Sequence, residues 1–185
     1  MPGRRLHLPI TTERLVLRDL RTGDLDAMHA YASHKDVTRF LFWGPNELED
    51  TCGSLSAFIA AQAETPRIIY ELGLTLGEDE RLLGALCLYR GDHETRNDAE
   101  IGFVLHPDCW GQGYVTEAAQ ALMSAGFTDL ELHRIWATCD ARNGASVRVL
   151  EKLGMQREAT FRSSRKVAEG WVDEHSYAVL RAEFT

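Results

Sequence analysis

The sequence predicts a single domain over residues 1–185, with a mixed α/β or α+β sheet that carries helices on both faces. Three observations predict this class. Segments with the period-two alternation of strands are interleaved with segments that have the periodicity of amphipathic helices. The composition, 44% hydrophobic and 26% charged, is typical of a soluble globular protein. No linker, internal repeat or low-complexity tract divides the chain.

The N-terminal third is predicted to contain one strand and two helices. Residues 14–20 alternate as a strand, and residues 21–33 continue as a helix with Thr22 as its candidate N-cap. Residues 46–64 have the clearest amphipathic pattern and begin with a candidate Asn46–Glu49 capping box. The apolar face of this helix is predicted from the spacing of Leu48, Cys52, Leu55, Ile59 and Gln62.

The middle of the chain is predicted to form three strands and then a helix. Residues 67–76 and 81–89 alternate on either side of the turn GEDE, which favours an antiparallel hairpin, and residues 98–106 form the next strand. A glycine pair, Gly111 and Gly113, then precedes a helix. Its apolar face is predicted to contain Val115, Ala118, Leu122 and Phe127.

The C-terminal part adds three strands and a short helix. Residues 134–140 alternate as a strand. The helix that follows is predicted to begin near Asn143 and to stop at Gly154. The chain then finishes with strands over 156–164 and 174–184, around a turn at residues 169–170.

Charge and motif content exclude several classes of function. The net charge of -8 and the sequence pI near 5.4 disfavour binding to nucleic acid or to an anionic membrane and favour cationic solutes. The N-terminus has no apolar signal segment and the chain has no long apolar run, so we expect a cytoplasmic protein without a membrane span. The four cysteines form no C-x-x-C pair and the histidines no H-E-x-x-H, so we expect no metal.

The glycine pair raises a specific question of function. A strand that passes through a glycine-rich loop into a helix collects several unpaired backbone N–H groups at the positive end of the helix dipole, which favours an anion such as a diphosphate. The alternative is that the glycines only make a tight turn. A Walker A loop is absent, and a dinucleotide fingerprint needs a third glycine or alanine where Thr116 stands.

Four segments together resemble the GNAT superfamily of acetyl-CoA-dependent N-acetyltransferases, in its RimJ/RimL-type branch. They are TTERLVLRDL, AEIGFVLHPDCWGQGYVTEAAQAL, NGASVRVLEKLGM and GWVDEHSYAVL, in the family's order along nearly the whole chain. The resemblance implies a mixed, mostly antiparallel sheet of about seven strands in which two central parallel strands splay apart. It also allows a homodimer contact through the C-terminal strands.

The resemblance also implies a coenzyme site. The pyrophosphate of coenzyme A is expected on the N–H groups of Gly111, Gln112, Gly113, Tyr114, Val115 and Thr116. The pantetheine arm is expected beside Phe103, Val104 and Leu105, with Asn143 and Ser146 facing the arm and the thiol.

Acetyl transfer from a thioester to an amine is expected to use a base and a proton donor. A thioester is already activated, so an amine can attack it directly, but a lysine-like ammonium with a pKa of about 10.4 must first lose a proton. Glu100, an acid in an otherwise apolar strand, is the candidate base; a water chain, or a Glu100 that merely faces solvent, is the alternative. The resemblance implies that Ser146 faces the sulfur, which makes it the candidate donor to the thiolate; Leu150 occupies the position of the tyrosine that much of the superfamily uses. A serine near a helix start also bonds commonly to its own backbone.

These observations predict an enzyme that transfers acetyl from acetyl-CoA to a primary amine by direct attack in a ternary complex. The branch favours the N-terminal α-amino group of a protein, such as a ribosomal protein. A small amine (an antibiotic, a polyamine or an amino-acid analogue) and a non-catalytic acetyl-CoA sensor remain alternatives.

Overall fold

The computed structural model describes residues 4–77, 79–91, 96–167 and 170–184. These residues build an eight-stranded sheet with the strand order β1-β2-β3-β4-β5-β6-β8-β7. The strands are β1 (Ile10–Thr11), β2 (Leu15–Asp19), β3 (Ile69–Leu76), β4 (Asp79–Tyr89), β5 (Asp98–Leu105), β6 (Arg134–Asp140), β7 (Gln156–Val167) and β8 (Gly170–Leu180). The helices are α1 (Leu25–Ala32), α2 (Lys35–Thr38), α3 (Leu48–Ala61), α4 (Tyr114–Thr128) and α5 (Gly144–Lys152).

The sheet is antiparallel except where β5 lies beside β6. Those two strands pair only between Asp98–Glu100 and Arg134–Trp136. Beyond this point β5 continues to Leu105 and β6 to Asp140 without pairing to each other. The mixed fold, its mostly antiparallel sheet and the splayed parallel strands are therefore confirmed, and the splay leaves backbone polar groups of both strands without a strand partner.

Helices cover both faces of the sheet, as the alternation of β4 illustrates. Leu86 and Leu88 point to one face and pack with Leu122 of α4, while Ala85 points to the other and packs with Tyr31 of α1. Leu86, Leu88 and Leu122 are fully buried. Burial of each such side chain contributes about 1.5–3 kcal/mol, so these two apolar layers hold β4 and β5 in place beneath the site.

Two helix starts differ from the sequence predictions. The predicted cap Thr22 lies in a 3-10 turn (Thr22–Asp24), and Asp24 is the N-cap residue of α1; its Oδ2 accepts from the N–H of Arg21 at 2.7 Å at the start of the 3-10 turn. The Asp24 carboxylate also forms a buried ion pair with Arg18 at 2.8 Å. Asp24 is thus fixed by a cation that the local pattern does not reveal.

The capping box of α3 is displaced by one residue from its predicted place. Glu47 is the N-cap and its N–H donates to Asp50 Oδ2 at 3.0 Å, so the predicted Asn46–Glu49 box was wrong. Leu48, predicted on the apolar face, is 50% exposed because it occupies the first helical position. Leu55 is buried as predicted, and Thr51 and Ala61 complete the buried face.

Several smaller features were not predicted. The one-turn helix α2 and the two-residue strand β1 are too short to show a period, and β1 raises the strand number from about seven to eight. The predicted turns GEDE and 169–170 each include a residue, Glu78 and Glu169, that lies outside the described residues. Within the described ranges, no helix is long and apolar enough to span a membrane.

Candidate active site

A cleft of about 1080 Å³ opens where β5 and β6 diverge. Its floor is formed by strands β3 to β6, and its walls come from α1, α3, α5 and the loop 40–46 that follows α2. Five of the predicted site residues line this cleft: Glu100, Phe103, Val104, Asn143 and Ser146. The fold therefore brings together groups that lie more than 40 residues apart in the sequence.

The edge of β5 that faces the gap was predicted to hold the pantetheine arm. Phe103 and Val104 line the cleft, but the side chain of Leu105 is buried in the core. The carbonyl of Leu105 accepts a hydrogen bond from the indole Nε1 of Trp110 at 2.9 Å. This bond ties the end of β5 to the beginning of the glycine loop, and any contact of Leu105 with a ligand would be made by its backbone.

The glycine loop has the conformation of an anion site. Gly111 and Gly113 have φ angles of +75° and +80°, in the left-handed region that favours glycine, and Gly113 is the N-cap of α4. Within the described part of the chain, none of the six backbone N–H groups of residues 111–116 donates a hydrogen bond. A Cβ at Gly111 would meet no atom within 4 Å, so the space beside the loop is open. These residues lie outside the cleft itself, next to the end of β5.

Arg14 clamps this loop, a role that the sequence did not suggest. Its Nη1 donates to the carbonyl oxygen of Gln112 at 3.1 Å, and its Nη2 lies 2.6 Å from Glu117 Oε2. Its guanidinium also lies 4.8 Å from the ring centroid of Tyr114. Burial opposes ionisation of Glu117, but hydrogen bonds from Thr12 and Arg14 outweigh it and hold the pKa of Glu117 below its usual range. Arg14 thus holds one loop carbonyl in a hydrogen bond and pairs with the carboxylate of Glu117.

We expect Arg14→Ala to weaken acetyl-CoA binding by about tenfold, on the order of 1.4 kcal/mol, because the Gln112 carbonyl and the Glu117 charge would no longer be held. Isothermal titration of the purified variant measures this. Arg21→Ala is a matched control, since Arg21 also forms an ion pair, with Glu80 at 3.0 Å, away from the loop. Equal affinity in the wild type and Arg14→Ala would show that the clamp is not needed.

Glu100 occupies the cleft floor where the two parallel strands part. Its side chain is half-buried and accepts a hydrogen bond from Thr138 Oγ1 at 3.4 Å. Burial raises the pKa of Glu100 above its usual value; the Thr138 hydrogen bond and Arg165 lower it, and Glu174 raises it. The acid therefore faces the cleft and is not a fully solvated strand residue.

Asn143 and Ser146 lie together at the start of α5. The Oδ1 of Asn143 caps the helix by accepting from the N–H of Ser146 at 3.1 Å, and both residues line the cleft. Among the described residues, the Ser146 hydroxyl has no hydrogen-bond partner, so it is not bonded to its own backbone. Leu150, buried on the same wall, offers no hydroxyl.

Two further ionisable groups lie in the cleft: Glu71, which the sequence did not single out, and Cys139. Glu71 of β3 lines the floor, and burial raises its pKa to about 7, although a hydrogen bond with Cys87 lowers it. Cys139 of β6 lies at the splay, and burial raises the pKa of its thiol to about 11. In the sequence Glu71 is one polar residue of an alternating strand, and only the packing of α1 over that face makes its position unusual.

Residues 14–156 match the family model described as an acetyltransferase (GNAT) domain. The chain is 34% identical over 177 residues to the uncharacterized N-acetyltransferase YnaD of Bacillus subtilis, across 95% of this chain and 98% of that protein. It is 29% identical over 143 residues to a spermidine N(1)-acetyltransferase of Escherichia coli, across 77% and 73%. A solved GNAT-family acetyltransferase from Bacillus anthracis superimposes with a TM-score of 0.83 at 33% identity, across 95% and 100% of the two chains. The family match spans the glycine loop and most of the residues that line the cleft.

Proposed function

The chain belongs to the GNAT acetyltransferase family and is an acetyl-CoA-dependent N-acetyltransferase, and we propose that acetyl transfer takes place by direct amine attack in the cleft between β5 and β6. The observation that carries this proposal is the end of β5–β6 pairing at Glu100, which opens a gap beside the loop of unpaired N–H groups. A coenzyme with an anionic end and a long amide-containing arm suits both features.

The residues at the loop fit the diphosphate of the coenzyme. Charge-assisted hydrogen bonds contribute roughly 1.5–3 kcal/mol each, so three or four of the N–H groups of residues 111–116 suffice to hold it without a lysine. The open space at Gly111 admits a phosphate close to the backbone. The arm would lie along the unpaired edge of Phe103 to Leu105, and the bound coenzyme supplies an acetyl thioester that is already activated.

Two residues of the chain then accept and donate protons. Glu100 accepts the proton of the acceptor's ammonium group, and its raised pKa brings it closer to the pH at which it works. The Ser146 hydroxyl, which faces the cleft without a partner among the described residues, passes its proton to the departing thiolate and regains one from the attacking nitrogen, which loses its second proton as the amide forms. Backbone N–H groups at the open edge of β5 stabilise negative charge on the carbonyl oxygen.

Direct attack is favoured over an acetyl-cysteine because the cysteine at the splay is a poor nucleophile. The thiolate is the reactive form of cysteine, and burial raises the pKa of Cys139 to about 11, so the thiol predominates at neutral pH. Glu100 activates the amine instead.

The acceptor is proposed to be a small cationic amine. Glu49, Asp50, Glu71 and Glu100 all line the cleft. Among the described lining residues the only lysine or arginine is Arg165, and its guanidinium is paired with Glu174. This acidic lining attracts a cation, and the similarity to a spermidine acetyltransferase supports the same class. A protein α-amino group is the second candidate, supported by the RimJ/RimL-type motifs, including Trp110 before the loop.

Two measurements test this function. In a thermal-shift titration, acetyl-CoA at about 100 times its dissociation constant should stabilise the protein by roughly 2.7 kcal/mol, and NAD should not. A thiol-release screen with small amines and N-terminal peptides should then identify the acceptor class. Stabilisation without thiol release from any amine would indicate a sensor, and no stabilisation would contradict the coenzyme site.

A further inference from the structure

We propose that Glu71 binds a second positive charge on the acceptor, so that the acceptor is a diamine or polyamine whose reacting amine lies at Glu100. The inference rests on the proposed function, since it assumes that amine acetylation takes place in this cleft. It adds a subsite, distinct from the reacting centre, that determines which amines are good substrates.

The two carboxylates lie on the same face of the sheet. Glu71 of β3 is opposite Cys87 of β4, which is opposite Gly102 of β5, and Glu100 lies two residues before Gly102. With strands about 4.8 Å apart and about 3.3 Å per residue, the Cα atoms of Glu71 and Glu100 are separated by about 12 Å. Both side chains line the same cleft. One extended, flexible molecule can therefore contact both acids.

The cleft floor between the two acids is recessed at Gly102. Gly102 has no side chain, and a Cβ built there would meet only the Cβ of Cys87, at 3.9 Å. Tyr89 and Val104 line the cleft on this same face, on either side of the row, and offer apolar surface to an alkyl chain. The arrangement, two acids joined by an apolar path, is complementary to two ammonium groups joined by methylene groups.

Glu71 is a partly buried carboxylate that has no positively charged partner among the described residues. The groups that face it are the Tyr31 phenol from α1 and the Cys87 thiol from β4, and burial raises the pKa of both, so both are neutral at pH 7. Within the described ranges no arginine or lysine forms an ion pair with Glu71, and Arg165 is paired with Glu174. A bound ammonium would supply the missing counter-charge and favour the ionised carboxylate.

The test compares substrates that differ by one charge. Putrescine is paired with pentylamine, in which a methyl group replaces the second ammonium, and spermidine extends the series. In the wild type, kcat/KM should be at least about tenfold higher for putrescine or spermidine than for pentylamine, a factor that corresponds to about 1.4 kcal/mol. In Glu71→Gln this ratio should fall to about one, whereas Glu71→Asp, which keeps the charge, should retain part of the preference.

Glu64→Gln is the matched control, because Glu64 is exposed and outside the cleft, and the change removes the same charge from the protein. It should keep the wild-type ratio.

Equal kcat/KM for the two amines in the wild type would overturn the inference, as would a Glu71→Gln variant that loses rate equally with both, which would make Glu71 a base. Thiol release with N-terminal peptides but with neither amine would also overturn the inference. Thiol release with none of the acceptors, or no binding of acetyl-CoA, would instead contradict the proposed function. If Glu71→Gln folds poorly, the wild-type comparison can still overturn the inference, and Glu71→Asp tests the assignment to Glu71, because its shorter carboxylate should reduce the preference in part.

Discussion

Replacing Glu100 with glutamine is expected to lower kcat by a factor of about 10²–10⁴ without changing the affinity for acetyl-CoA. Glutamine keeps the size of the side chain and can still hydrogen bond with Thr138 Oγ1, which lies 3.4 Å from the carboxylate, but it cannot accept a proton from an ammonium. The residue lies where β5 and β6 part, so the coenzyme loop is not disturbed. Thiol release at saturating acetyl-CoA gives kcat, and isothermal titration gives the affinity.

The pH dependence checks the same assignment independently. Burial raises the pKa of Glu100, so kcat/KM should rise with pH above the ordinary glutamate value of about 4.3 as the carboxylate ionises. This rising limb of the pH profile should be absent in Glu100→Gln. Thr138→Val removes a hydrogen bond that lowers the pKa, so its limb should move to higher pH. Undiminished turnover in Glu100→Gln, or a limb that Thr138→Val leaves in place, would exclude Glu100 as the base.

Much of the fold could be predicted because its periodic segments are long. Strand β6 occupies the predicted residues 134–140, and α5 has Asn143 as its N-cap and Gly154 in the left-handed conformation just past its end. The errors lie where a single turn or a single residue determines where a helix or strand begins. Asn46 and Glu47 can both begin a helix, and Asp50 selects Glu47 through a contact that spacing alone does not distinguish.

The site was partly predictable for a different reason. Glu100, Asn143 and Ser146 lie in local motifs that the resemblance covers, and the structure brings them to one cleft. Glu71 and Arg14 carry no local signal, because their significance comes from partners distant in sequence: Tyr31 of α1 faces Glu71, and Arg14 holds Gln112 and Glu117. Which polar residue is enclosed and which remains solvated is decided by tertiary packing, and a single sequence does not contain that information.

Gly111→Ala is expected to weaken acetyl-CoA binding by about 100-fold, roughly 3 kcal/mol, and so to raise its KM. At a φ of +75° an alanine is strained, and its Cβ would project into the open space beside the loop N–H groups. A methyl group there would hold a phosphate away from the backbone, and one or two charge-assisted hydrogen bonds of roughly 1.5–3 kcal/mol each would be lost. Isothermal titration with acetyl-CoA measures the change.

Gly154→Ala separates this binding effect from the strain. Gly154 follows α5 with the same φ of +75°, and a Cβ there also meets no atom within 4 Å. Both variants should therefore lose a similar unfolding free energy of about 1–2 kcal/mol, since each forces an L-residue into the left-handed region. Only Gly111→Ala should lose affinity for the coenzyme. If the two variants bind acetyl-CoA equally well, the glycine pair serves only to turn the chain into α4, and the diphosphate must be held elsewhere.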